Sequence, residues 1–214
     1  MKTYLILHGG GGKRTVQPFA DLLAQQPDTN VIVPIHPGFA DTPRPAHLDS
    51  VRALAAYYLE TTTPDTIVIG NSIGGWIATE MAISNKIAAA YLVNTTGFEI
   101  PGEPITDVTK LAPGELPKYS FHKPPPPAPN PPRPEFAALA AYAGAKGLDP
   151  TLLERAHQIR IPVHVLWGES DRIVTPAYGR AVAHAIPNAT FTLIPESGHL
   201  PLLETPDRII HALS

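Results

Sequence analysis

The sequence is constrained most strongly by a five-residue turn, Gly70-Asn71-Ser72-Ile73-Gly74, which separates two different hydrophobic patterns. The β-branched run Thr66–Ile69 before the turn is typical of a strand that is buried on both faces of a parallel sheet. The residues after it, about 75–84, have a helical pattern. A serine between a strand and a helix lies on a sharp, strained turn that exposes its hydroxyl. The pattern therefore favours a nucleophilic Ser72, with an incidental serine in a glycine-rich turn as the alternative.

Apolar runs alternate with helical patterns along the chain, and this alternation predicts an α/β fold. We expect a mostly parallel sheet of about six strands with helices on both faces. The predicted strands are 4–7, 31–35, 66–69, 88–93, 163–167 and 189–194. The predicted helices are 16–25, 48–60, 75–84, 135–146, 176–185 and 206–213. Ligands of such sheets bind beyond the carboxyl ends of the strands, so the residues that follow each strand are the candidates for chemistry.

Composition excludes several other classes of protein. A net charge of −3 gives no reason to expect nucleic acid or an anionic membrane surface as a partner. The chain has no cysteine, which excludes disulfides and thiolate chemistry and suits a reducing cytoplasm. No apolar stretch is long enough to span a bilayer. No histidine spacing suggests a metal, so we expect a small-molecule substrate and neither a metal nor a cofactor.

Proline is unusually frequent, with 26 residues, and is concentrated between 101 and 134. Proline removes backbone donors and fixes φ, so this region is expected to be an extended surface segment. We predict a core formed by residues 1–98 and 149–214, with a short proline-rich lid inserted at 99–148. A ligand for a proline-binding domain is the alternative interpretation of the run.

The last two strands of the predicted sheet supply an acid and a base. The fifth strand is followed by Glu169 and Asp171, of which Asp171 is the preferred acid because it lies just before the next helix. His199 follows Gly198 in the loop after the sixth strand, and it is the strongest candidate for the base. A serine needs a neutral imidazole to take its proton, and that imidazole needs a carboxylate to fix its tautomer.

A glycine run, Gly9 to Gly12, follows the first strand and leaves backbone N–H groups open to a bound oxygen. We expect an oxyanion hole formed by the N–H groups of Gly10 and Ile73, with Gly11 as the second choice for the former. A phosphate loop is the alternative, but Lys13 lacks the following serine or threonine that such a loop requires. His8 is expected to brace this loop.

Four residues near the strand ends are the candidate substrate contacts: Phe39, Asn71, Phe98 and Leu200. For Phe39, packing within its own loop is the alternative role.

Together these motifs resemble the α/β-hydrolase superfamily. The matching stretches, in the family's order, are Leu7–Gly12, His36–Phe39, Gly70–Gly75, Trp167–Asp171 and Ser197–His199. The resemblance implies hydrolysis through an acyl-enzyme, with Ser72, Asp171 and His199 as the catalytic triad and no cofactor. The sequence differs from a typical member at its N-terminus. The early antiparallel strands usual in the family are missing before the first predicted strand, so we expect a minimal N-terminus.

Within that superfamily the sequence is similar to esterases and to the carbon–carbon hydrolases of ring-cleavage products. Asn71 and the glycine loop fit the latter, but those enzymes usually carry tryptophan where this chain has Leu200. Arg133 is the one candidate for a lid arginine that binds a substrate carboxylate. We therefore expect hydrolysis of small carboxylic esters. Carbon–carbon hydrolysis, haloperoxidase or perhydrolase activity, and a non-catalytic binding protein of the same fold are the alternatives.

Overall fold

A computed structural model describes residues 1–126, 135–144 and 146–213 of the chain. Its centre is a parallel six-stranded sheet, and a separate parallel pair of short strands lies beside it. The strands are β1 (Lys2–Leu7), β2 (Thr29–Ile32), β3 (Thr66–Asn71), β4 (Ala89–Val93), β5 (Gly97–Phe98), β6 (Leu148–Asp149), β7 (Val163–Gly168) and β8 (Thr190–Ile194). The large sheet has the order β2-β1-β3-β4-β7-β8, and the pair is β5-β6.

Helices lie between the strands along the chain, and two more follow the last described strand. They are α1 (Gln17–Leu23), α2 (Val51–Leu59), α3 (Ile73–Ile83), α4 (Leu116–Ser120), α5 (Phe136–Ala143), α6 (Leu152–Arg155), α7 (Pro176–Ala185), α8 (Pro201–Glu204) and α9 (Pro206–Ala212). Short 3₁₀ turns cover Lys13–Thr15, Val108–Lys110 and Ala156–Gln158.

The sheet is buried on both faces because alternate side chains of each strand point in opposite directions. In β1, Leu5 and Leu7 join the apolar core that contains α2, α3 and α7. Tyr4 and Ile6 join a second core on the opposite face, which contains α1, α8 and α9. The predicted α/β architecture, a parallel sheet of six strands with helices on both faces, is therefore confirmed.

Element boundaries follow local chemistry. β2 ends at Ile32, earlier than the predicted 31–35, because Pro34 has no N–H for the sheet ladder. α2 begins at Val51 and not at 48, because Ser50 caps it by accepting a hydrogen bond from the N–H of Ala53 at 3.2 Å. α7 matches its predicted range, with Thr175 as the N-cap residue.

Among the described residues, no helix has both the length and the apolar character needed to cross a bilayer.

The β5–β6 pair joins residues 97–98 to residues 148–149, which lie at the two ends of the predicted lid. Most of the proline run, residues 127–134 including Arg133, lies outside the described residues.

Candidate functional site

Ser72 lies between the last residue of β3 and the first residue of α3. Its φ of 58° is in the left-handed region, which is uncommon for a residue other than glycine and is typical of strained functional turns. The turn closes because two glycines allow main chains to touch. A Cβ on Gly70 would lie 2.1 Å from the carbonyl oxygen of Gly74, and one on Gly74 would lie 2.2 Å from that of Leu7. The spacing of these glycines is therefore required by contact.

Asp171 and His199 meet at the carboxyl edge of the sheet. Nδ1 of His199 lies 2.8 Å from Oδ2 of Asp171, and both residues are buried. Oδ1 of the carboxylate accepts the N–H groups of Ile173 at 2.8 Å and Val174 at 3.2 Å, which fixes its orientation. With its proton on Nδ1, the imidazole has Nε2 available to accept a proton. The alternate acid, Glu169, is exposed and instead accepts the N–H of Glu196.

Asn94 is a part of this site that the sequence analysis missed. It follows β4, is fully buried and has a φ of 46°. Its amide nitrogen donates to Oδ2 of Asp171 at 2.5 Å and to the carbonyl of Gly198 at 3.3 Å, while its Oδ1 accepts the N–H of Gly168 at 3.1 Å. No carboxylate follows this strand until Glu99, so the sequence offered no candidate acid there. An asparagine at a strand end, where left-handed backbone is common for this residue, was the available signal.

Ser72 and His199 line the same cavity, although no hydrogen bond within the described part of the chain joins the hydroxyl to the imidazole. Such bonds are often long in enzymes without substrate and tighten when substrate binds.

Asn71 connects the Ser72 turn to the end of β4 and to the loop of His199. Its amide nitrogen donates to the carbonyls of Val93 at 3.1 Å and His199 at 3.0 Å. Asn71 also lines the cavity, but its donors are engaged by the main chain.

The two predicted oxyanion donors are available for a ligand. Within the described ranges, no hydrogen bond uses the N–H of Gly10 or of Ile73. Ile73 is the first residue of α3, whose initial N–H groups have no partner inside the helix. The carbonyl of Gly10 accepts the N–H of Glu135 at 3.1 Å, and Leu139 of α5 packs directly on this glycine. Gly11, the second choice, lines the same cavity.

His8 braces the glycine loop as a neutral residue. Its Nδ1 lies 2.8 Å from the carbonyl of Gly9, and its Nε2 accepts the N–H of His36 at 3.3 Å. Burial lowers the pKa of His8 to about 4. The nearby His36 is completely buried, and burial holds its pKa well below the ordinary value. Neither imidazole lines the cavity that Ser72 and His199 share.

The cavity has a volume of about 460 Å³ and lies over the carboxyl end of the sheet. Most of the side chains around it are apolar; among its lining residues are Val108, Leu116, Pro117, Phe121, Pro125, Leu139, Ile173, Leu200 and Leu203. Leu200 therefore lies where a substrate contact was predicted. Arg14 contributes a guanidinium to the wall. The described residues contain no cluster of three or more histidine and carboxylate side chains that could hold a metal ion.

Two predicted substrate contacts lie elsewhere. Phe39 is buried against His8 and His36 and lines a smaller neighbouring pocket of about 220 Å³, because its loop folds back on the glycine loop. Phe98 lies outside the cavity lining and is fully buried. Its backbone is fixed in β5 by hydrogen bonds of 2.8 and 2.9 Å with the hydroxyl of Tyr178.

A parallel sheet with a strained serine after one strand and a buried acid–base pair after two others defines a hydrolase-type enzyme. The model of the alpha/beta hydrolase family matches residues 4–212, and the chain belongs to this family. Membership of this family makes the protein a hydrolase.

Three comparisons illustrate this relationship. Lipase 3 of Moraxella sp. (strain TA144) is 28% identical over 94% of this chain and 72% of its own length. The enol-lactonase of Burkholderia xenovorans superposes with a TM-score of 0.77 at 18% identity, over 99% of this chain and 89% of that one. A thermophilic esterase of Thermogutta terrifontis superposes with a TM-score of 0.73 at 21% identity, over 100% and 88% of the two chains. At these identities the two structures support the fold alone.

Proposed function

We propose that the protein hydrolyses small carboxylic esters through an acyl-enzyme formed on Ser72. The observation that carries the proposal is that His199, which is paired with Asp171, lines the same cavity as a serine held in a strained turn. The lipase relatives found by sequence support ester bonds as the reactive group.

In the first half of the reaction, Nε2 of His199 takes the proton of the Ser72 hydroxyl as Oγ attacks the ester carbonyl carbon. The carbonyl oxygen becomes an oxyanion, which the N–H groups of Gly10 and Ile73 stabilise. The carbon–oxygen bond to the alcohol then breaks, and the leaving oxygen takes the proton from His199. Asp171 fixes the imidazole tautomer and stabilises the imidazolium while it carries that proton.

In the second half, His199 removes a proton from water as the water oxygen attacks the acyl carbon. Collapse of this second tetrahedral intermediate returns the proton to Oγ of Ser72 and releases the acid. The apolar walls of the cavity favour a substrate whose acyl and alcohol groups are themselves mostly apolar. No step requires a metal or a cofactor.

The same proposal includes a lid formed by residues 99–148, which the β5–β6 pair at its two ends supports. It also includes a cytoplasmic location, which the absence of cysteine supports.

The test combines a fluorophosphonate probe with p-nitrophenyl esters of graded acyl length and a ring-cleavage dienoate. We expect wild-type protein to be labelled at Ser72 and to hydrolyse the esters. Ser72→Ala should lose labelling and lower kcat by at least about 10⁴-fold. Ser84→Ala, at the far end of α3, serves as the matched serine control and should retain both.

Two of the alternatives, carbon–carbon hydrolysis and a binding protein, have their own outcome in this experiment. Cleavage of the dienoate without ester hydrolysis would assign carbon–carbon hydrolysis to the site. A folded wild-type protein that neither labels nor turns over any substrate would contradict the enzymatic proposal and favour a binding protein.

A further inference from the structure

Two stretches of chain contribute to the walls of the cavity, and each is hydrogen-bonded to a different part of the proposed machinery. We call residues 116–122 the first cover segment and residues 135–143 the second cover segment. In the first, the carbonyl of Ser120 accepts the N–H of His199 at 2.7 Å, and the carbonyl of Tyr119 accepts the N–H of Arg172 at 3.2 Å. This segment is therefore attached to the loops that carry the acid and the base.

The second cover segment is attached to the glycine-loop side of the cavity. Glu135 donates its N–H to the carbonyl of Gly10 at 3.1 Å, and its carboxylate accepts the N–H of Ala40 at 2.7 Å. The hydroxyl of Tyr142 donates to the carbonyl of Pro37 at 2.8 Å. The two cover segments consequently stabilise different halves of the site, and the base depends on the first.

Glu204, the last residue of α8, joins the first cover segment to the loop of the base. Its Oε1 accepts the N–H of Gly198 at 2.8 Å, and its Oε2 accepts the N–H of His122 at 2.8 Å. One half-buried carboxylate therefore fixes both the residue before His199 and the end of the first cover segment. Hydrogen bonds from backbone N–H groups to a carboxylate are about twice as strong as those between neutral groups.

Close packing makes this connection rigid. A Cβ on Gly198 would lie 2.4 Å from the carbonyl oxygen of Ser120 and 2.8 Å from Cα of Phe121. The main chain of the first cover segment is therefore in direct contact with that of the His199 loop. His122 adds a hydrogen bond of 2.7 Å between its Nδ1 and the hydroxyl of Ser170, next to the acid. Displacement of the first cover segment would displace the loop that carries His199.

We infer that Glu204 is a positioning residue, which holds the His199 loop in its working position by clamping it to the first cover segment. This inference rests on the proposed function, because it assigns Glu204 a role in the reaction of Ser72 and His199. Phe121 and Leu116 of the same segment line the cavity. Substrate that contacts this wall is thereby coupled to the placement of the base, without any contact between Glu204 and the substrate.

The test compares Glu204→Gln and Glu204→Ala with the control Glu60→Gln, in which the altered side chain is exposed at the end of α2. Glutamine keeps one acceptor and presents an NH₂ group to the other N–H, whereas alanine keeps none. Three quantities are measured on the full chain: amide hydrogen exchange, kcat and KM for a p-nitrophenyl ester, and Tm.

We expect exchange to accelerate by on the order of tenfold or more in both 119–123 and 196–200, and to stay unchanged in β1 and α3. We expect kcat to fall on the order of tenfold in Glu204→Gln and further in Glu204→Ala, with KM within about threefold of wild type. Glu60→Gln should match wild type throughout. Should Glu204→Ala not fold, Glu204→Gln and the shortened Glu204→Asp give the same comparison.

The inference would be overturned by faster exchange in only one of the ranges 119–123 and 196–200, or by a kcat within about twofold of wild type although both ranges exchange faster. A lower Tm with unchanged kcat indicates a merely structural carboxylate and also overturns it. The exchange measurement does not depend on catalysis. An inactive wild type with the expected exchange pattern would therefore contradict the proposed function and retain the clamp as a structural feature.

Discussion

Asn94 illustrates how one uncharged side chain can organise an acid–base pair. It donates to the carboxylate of Asp171, donates to the carbonyl of Gly198 and accepts from the N–H of Gly168. The residue thus contacts the end of β7, the acid and the loop of the base at once. Because it is fully buried, removal of its amide leaves these groups without a partner in a place that water does not reach.

We therefore expect Asn94→Ala to lower kcat by about tenfold or more, because the carboxylate and the imidazole loop lose their common support. The free energy of unfolding should also fall, by about 1–3 kcal/mol. Steady-state ester hydrolysis and urea unfolding measure the two effects. Asn188→Ala is the matched control, since Asn188 also has a positive φ, 59°, but is exposed. Equal losses of stability and unchanged kcat in the two variants would assign Asn94 a backbone role only.

Residue positions that follow from strand order could be predicted from the sequence. Positions that depend on the exact path of a loop could not. Ser72, Asp171 and His199 each follow a strand of a parallel sheet, so their common edge was predictable. Phe98 also follows a strand, but the chain forms β5 there and buries the ring away from the cavity. Asn94 was missed because its role depends on three hydrogen bonds that no pattern encodes.

The β3–α3 turn is the element on which the placement of Ser72 depends. Gly70 lies at the end of β3 in main-chain contact with Gly74, and Gly74 in turn contacts the end of β1. The glycines therefore bring a strand, a helix start and the glycine loop into one compact junction. Their absence of a side chain matters here for space, since neither has a positive φ.

We expect Gly70→Ala to destabilise the protein by more than about 3 kcal/mol, because its methyl group would lie 2.1 Å from a backbone oxygen that cannot move alone. For a chain of this size that loss corresponds to a fall in Tm of about 10 °C. The comparison is Gly102→Ala, where φ is +83° and nothing lies within 4 Å, so only backbone strain of about 1–2 kcal/mol is expected. Thermal unfolding followed by circular dichroism distinguishes the two; equal shifts in Tm would contradict the contact argument.

Among the other elements, helices with explicit start signals were predicted best. α7 and α9 both begin at a proline preceded by threonine, and the structure starts them at Pro176 and Pro206. The short helices α4 and α8 were not predicted, because four or five residues give no measurable periodicity. They nevertheless form much of the wall around His199, which is why the shape of the cavity could not be derived from sequence.

At the scale of the whole molecule, a pair of neutral histidines links the glycine loop to the loop after β2. Nε2 of His36 lies 3.0 Å from the carbonyl of His8 and can donate to it, while its Nδ1 lies 2.6 Å from the hydroxyl of Tyr58. His8 uses its own Nε2 as an acceptor for the N–H of His36. A proton added to Nε2 of His8 would therefore face a backbone N–H donor, and a proton added to either ring would place a charge in a site from which water is excluded.

This arrangement predicts how folding stability depends on pH. Burial lowers the pKa of His8 to about 4, and it lowers that of His36 in the same direction, whereas both titrate near 6.5 in the unfolded chain. Between these values the unfolded state binds more protons than the folded state. The contribution of the two histidines to folding stability is therefore complete above about pH 6.5 and is lost as the pH falls toward 4. His8 alone should account for a loss of about 3 kcal/mol across that range.

Urea unfolding at intervals between pH 7 and pH 4.5 measures this dependence, and the free energy of unfolding should decrease steadily toward acid. His8→Gln removes one of the two titrating groups and should make the curve flatter, whatever its effect on stability at pH 7. His47→Gln changes an exposed histidine and should reproduce the wild-type slope. If His8→Gln and His47→Gln gave the same slope, the buried pair would not be the origin of the acid sensitivity, and the carboxylates of the fold would have to supply it.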